Sequence, residues 1–97
     1  MGQPIAEPPH LPPASEQQVR SRSAELLRLA AEHGITELAF ASPGRLRGHL
    51  GDDRDLFDMF EFQRAATSML GAEVLVFSDG VLDNEHVSPD LTTASSL

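Results

Sequence analysis

A small α/β domain running helix, strand, loop, helix, strand is the fold class that the sequence predicts, and three observations predict it. A helical apolar period occupies residues 15–33 and stops at Gly34. Two short, largely apolar runs, residues 35–41 (ITELAFA) and 73–77 (EVLVF), have the length and composition of strands. Between them a second helical stretch opens on acidic residues and closes at Gly71.

The first helix starts at Ser15, where Gln18 three residues on completes a capping box. Val19, Ser23, Leu26, Leu27 and Ala30 then recur at helical spacing, and Gly34 supplies the stop. Residues 35–41 follow at once as a buried strand ended by Ser42-Pro43-Gly44. Residues 45–53 are polar and contain Gly48 and Gly51, so a loop is expected, with or without a short helical turn around Leu46 to Leu50. Asp52, Asp53 and Asp55 open the second helix, which runs to Leu70. Residues 73–77 then form a second strand, expected in the sheet interior because it is nearly all apolar.

The flanks differ from this centre. Residues 1–14 hold five prolines and no period, which predicts an extended leader, either a loose tail or a docking arm. Residues 81–97 carry sparse apolar side chains and Pro89, which predicts an irregular tail with one short helical stretch. The expected organisation is thus leader 1–14, domain 15–80 and tail 81–97.

Bulk chemistry narrows the function. With 97 residues the core is small, and a partner adds stability. The absence of cysteine removes disulfides, thiolate metal sites and a catalytic thiol. No apolar run reaches the ~18–20 residues of a membrane span and no signal peptide opens the chain, so a soluble cytoplasmic protein is expected. Fifteen acidic residues against seven basic ones give a net charge of −8, which repels nucleic acid and favours a basic protein partner.

The order helix, strand, serine turn, Asp-x-Asp, helix, strand resembles the minimal nucleotidyltransferases, over roughly residues 24–77. LLRLAAEHGITELAFAS is similar to the family's opening helix and strand, which ends in Gly-Ser; here those positions are Ala41 and Ser42. Arg45 matches an arginine three residues on, and Asp53 and Asp55 match the Asp-x-Asp after ten intervening residues. LFDMFEFQRAATSMLGAEVLVF resembles the family's second helix and the strand carrying a third acidic residue, a position held here by Leu75. The resemblance implies a truncated nucleotidyltransferase-like domain.

Nucleotidyl transfer needs two or three carboxylates converging on Mg²⁺ at the nucleotide phosphates. Leu75 removes one, Ala41 adds a methyl where the family's backbone nears the triphosphate, and about seven residues of strand and turn are missing before the second helix. Asp53 and Asp55 then read as acidic residues favoured at a helix start. No catalysis, cofactor or metal is expected, and Ala41, Ser42, Arg45, Asp53, Asp55 and Leu75 are vestigial positions. His10, His33, His49 and His86 share no ligand spacing and are expected as surface or capping residues. Ser42 lacks the surroundings of a nucleophile. Arg45 and Arg47 are expected to pair with Asp52, Asp53 and Asp55 at the surface.

In the second helix Phe57, Phe60 and Phe62 point about 60–160° apart, so one face cannot bury all three. With Met59 and Met69 they form either a sandwiched core or a patch for a partner. The resemblance implies an antitoxin that binds a cognate toxin bearing a basic substrate groove, in a hetero-oligomer. The toxin is a nucleotidyltransferase acting on tRNA or else a HEPN-type ribonuclease, and the alanine- and arginine-rich, lysine-free composition points to a high-GC bacterial source. The alternative is an active minimal nucleotidyltransferase that adenylylates its toxin with ATP and Mg²⁺.

Overall fold

The computed structural model describes residues 11–97. Most of the proline-rich leader, 1–10, lies outside the described residues. The order is α1 (Glu16–Ser21), α2 (Ser23–Glu32), β1 (Ile35–Ser42), β2 (Arg45–Leu50), α3 (Leu56–Leu70), β3 (Leu75–Ser78), a 3₁₀ turn (Asp79–Asp83), α4 (Pro89–Thr92) and β4 (Ser95–Ser96). The four strands make one mixed sheet in the order β3-β2-β1-β4.

The Ser15–Gln18 capping box forms with both of its hydrogen bonds. The helix it opens is divided, however, because Arg22 leaves helical geometry at φ −116°, ψ 22°. There its guanidinium forks onto Glu25, Nε to Oε1 at 2.8 Å and Nη2 to Oε2 at 2.5 Å. Val19, Leu26 and Ala30 are buried across the break. Gly34, at φ 73°, takes the left-handed turn out of α2 into β1.

The predicted loop at 45–53 is instead mostly strand. Ser42 and Arg45 pair across a two-residue turn, with Pro43 fixing the first position and Gly44 at φ 76° the second. β2 therefore runs straight back along β1, antiparallel, until Leu50 meets Ile35. Gly48 interrupts no strand: a Cβ there would stand 2.6 Å from Ile35 Cγ2, so glycine permits the close pairing. Leu46 faces the core while Arg45, Arg47 and His49 alternate onto the opposite face. In β1 the register slips between Thr36 and Ala39, and Glu37 in this bulge adopts φ 54°.

α3 begins where the acidic residues place it, with Asp55 as N-cap accepting from the N–H groups of Phe57 and Asp58, and it ends at Gly71 in the left-handed conformation. It provides the crossover that lets β3 pair parallel to β2. β3 is the sheet's edge strand and not an interior one, and Leu75 is 36% exposed. Residues 12–14 cover its start. Ala14 N donates to Glu73 O (2.9 Å), Glu73 N to Pro12 O (2.8 Å) and Gly44 N to Ala14 O (2.8 Å), and Ala14 is fully buried. The end of the predicted leader is thus part of the fold.

The C-terminal stretch contains the expected short helix, α4, but it is more ordered than an irregular tail. β4 joins the sheet beside β1, and Arg20 donates to the Ser96 carbonyl at 3.1 Å and to the Ser95 hydroxyl. The core lies between the sheet and α1 to α3, with Val19, Leu26, Ile35, Leu38, Leu46, Phe62 and Val74 at its centre. Among the described residues, no helix is long and apolar enough to cross a membrane.

Candidate functional site

Among the described residues two polar clusters lie along the β2 face on which Arg45, Arg47 and His49 alternate, one at each end of the strand. At the hairpin end Ser42 Oγ donates to Asp90 Oδ2 at 2.6 Å. The same carboxylate oxygen lies 3.1 Å from Arg45 Nε, off the line of the N–H, so this contact is an ion pair without a hydrogen bond. Arg45 also donates through Nη2 to Ser88 Oγ at 3.3 Å and covers the Phe77 ring, its Cζ 4.8 Å from the centroid. Arg47 donates to the Leu91 carbonyl. Both arginines therefore hold the α4 segment, and neither pairs with Asp52, Asp53 or Asp55 as the sequence predicted.

Of the vestigial positions, Ser42, Arg45 and Leu75 meet here, since Arg45 faces Leu75 in the sheet register, with Ala41 next to Ser42 in the strand. Asp53 and Asp55 do not join them. β2 carries the chain about 16 Å from Arg45 to Leu50 before the turn that holds Asp53. Asp55 is occupied as the α3 cap. The linear register Ser42, Asp53, Asp55 is thus not a spatial one, because the tight Pro43-Gly44 turn sends the strand back at once. The strand that follows Ser42 bears Arg45 and Arg47 at alternate positions.

At the far end of the same face, Glu37, His49 and Asp79 bring three ligand-type atoms within 4.8 Å of one another. Each comes from a different element: the β1 bulge, β2, and the start of the 3₁₀ turn after β3. His49 Nδ1 is 2.9 Å from Asp79 Oδ2. That hydrogen bond and the Asp79 charge raise the His49 pKa above its ordinary value against a small opposing cost of burial, with Glu37 and Asp52 adding to the rise. The three line a pocket of about 340 Å³ with Leu27, Leu82 and Leu97. The sequence reading missed this cluster. The alternation of Arg45, Arg47 and His49 on one strand face was its one legible signal; nothing in the spacing of Glu37 or Asp79 announces it.

The predicted partner-binding residues separate. Met59 (3% exposed) and Phe62 (0%) belong to the core, and Met69 packs against it half-buried, so these three offer little to a partner. Phe57 and Phe60 are 66% and 57% exposed, joined by Leu56 at 61%. At 100° per residue these three fall within an arc of about 100° on α3.

No protein-family model matches this chain, and no curated protein does. Among solved structures, one described as a minimal nucleotidyltransferase superimposes with a TM-score of 0.66, covering 86% of this chain and 96% of that chain at 22% identity. The fold is that of a small nucleotidyltransferase-like α/β domain with a mixed four-stranded sheet.

Proposed function

We propose that the chain is a non-catalytic antitoxin that neutralises a cognate toxin by direct binding. The observation that carries this reading is the row Leu56, Phe57 and Phe60, three large apolar side chains left in water on one arc of a capped helix. Burying each contributes about 1.5–3 kcal/mol, enough for an anchor when the three act together. Asp52, Asp53 and Asp55 lie just before the row, and with the net charge of −8 they favour a partner whose groove is basic. A toxin that handles RNA has such a groove; the resemblance favours a nucleotidyltransferase acting on tRNA, or else a HEPN-type ribonuclease.

The hairpin end supports binding over catalysis. A pair of Mg²⁺ ions needs converging carboxylates, whereas at this end Arg45 sets a guanidinium, which repels cations, against the Asp90 carboxylate. The carboxylate that reaches Ser42, Asp90, is already held by Arg45.

Co-expression with the product of the neighbouring gene tests the proposal. The expected result is a stable complex and relief of growth arrest, both lost in a Phe57→Ser/Phe60→Ser variant. Absence of both binding and rescue by the unaltered chain would overturn it. An AMP-sized mass increase on the partner with ATP and Mg²⁺ would favour the adenylylating alternative.

A further inference from the structure

We propose that Glu37, His49 and Asp79 form a binding site for a divalent transition-metal ion of the zinc type, independent of the hairpin end and of the antitoxin reading. Tetrahedral zinc with ligand bonds near 2.0–2.1 Å places its donor atoms about 3.3 Å apart. His49 Nδ1 and Asp79 Oδ2, at 2.9 Å, are already close to that spacing. The three donors fit within 4.8 Å, and Glu37, with an exposed and flexible side chain, closes the remaining distance. An ion entering between His49 and Asp79 takes the place of the Nδ1 proton: from the imidazolium that proton leaves to solvent, and from the neutral ring it is exchanged for one on Nε2, so the ligand is a neutral imidazole in both cases.

The donor set selects the class of ion. One imidazole nitrogen and two carboxylates suit zinc, cobalt or nickel, while magnesium and calcium prefer oxygen shells. Two carboxylates and a neutral imidazole together balance the charge of a divalent ion. Arg47 lines the same pocket, and its guanidinium is turned to the Leu91 carbonyl. The three ligands also come from elements that are distant in sequence, so the ion would clip the β1 bulge, β2 and the turn after β3 together. The pocket leaves a fourth position open to water or to a small ligand.

The test uses the full chain, freed of metal by chelation. Titration with zinc chloride, followed by calorimetry and by thermal melting, is expected to show one ion per chain and a rise in Tm, with no rise in magnesium or calcium chloride. Cobalt in place of zinc should give visible d–d bands of a low-coordinate site. Glu37→Gln, His49→Gln and Asp79→Asn should each weaken zinc binding at least tenfold with circular dichroism unchanged, whereas His86→Gln should leave it intact. Because Glu37 is exposed, Glu37→Gln remains informative if the other two variants fold poorly. Absence of stoichiometric zinc uptake, or uptake undiminished in Glu37→Gln, would overturn the proposal.

Discussion

The Ser42 hydroxyl and the Asp90 carboxylate meet at 2.6 Å across 48 residues of sequence, joining the end of β1 to α4. Arg45 completes the contact from the first residue of β2, with side chains about one third exposed for Arg45 and one quarter for Asp90. A hydrogen bond to a charged group contributes about 1.5–3 kcal/mol, less where water reaches it. Asp90→Ala should therefore lower stability by about 1–2 kcal/mol, read as a reduced urea midpoint. Hydrogen exchange should quicken in the α4 and β4 segment while α2 and α3 stay protected.

Gly48 lies against the Ile35 side chain where the hairpin register slips, and a Cβ at Gly48 would lie 2.6 Å from Ile35 Cγ2 and 3.4 Å from Leu38 Cδ1. Both neighbours are buried, so neither side chain moves freely. Gly48→Val should cost about 1–3 kcal/mol by overpacking. Ile35→Leu removes the β-branch methyl that a Cβ at Gly48 would meet, so Gly48→Ala combined with Ile35→Leu should recover part of the loss of Gly48→Ala alone, which thermal melting of the single and double variants would measure.

These residues also show what the sequence made legible. Capping signals work over three or four positions, so Ser15 with Gln18, the acidic opening that includes Asp55, and Gly71 marked helix ends that the structure keeps. The hairpin was hidden because Arg45-Leu46-Arg47-Gly48-His49-Leu50 is half polar, and a glycine that allows close strand pairing looks the same as one that breaks a strand. Asp90, Glu37 and Asp79 acquire their partners only through long-range pairing, which leaves no local period. The Ser42 to Asp53 spacing keeps the family register only along the chain, because a two-residue turn sends β2 straight back and carries the two residues apart. The apolar excess of α3 was legible, but helical angles alone did not say that Phe62 turns inward and Phe57 outward.

Arg22 and Glu25 form a two-point ion pair where the first helix divides. The hydrogen bonds from Arg22 hold the Glu25 carboxyl below its ordinary pKa, opposed by slight desolvation and aided by the charges of Arg22 and Arg28. A lowered folded pKa means the contribution is fully present above the unfolded value and is lost as pH falls through the folded one. NMR titration should find Glu25 protonating at lower pH than an unpaired glutamate. Arg22→Gln should return it to the ordinary range and make stability less sensitive to acid in that window.

Phe62 and Phe60 lie two residues apart on α3 and should respond oppositely to truncation, since one is fully buried and the other 57% exposed. Phe62→Ala removes a ring from the centre of the core and should cost about 3–5 kcal/mol, enough to unfold much of a domain this small. Phe60→Ser, alone or with Phe57→Ser, should change stability by no more than about 0.5 kcal/mol, because those rings touch little of their own chain. In a binding assay with the proposed toxin partner the order should reverse. Phe57 and Phe60 variants should fold normally and lose affinity by tenfold or more, whereas a Phe62 variant that still folds should bind in proportion to its folded fraction. Denaturation and binding measured on the same three variants separate anchor from core, and loss of affinity without loss of stability is the result that a docking role for this helix face requires.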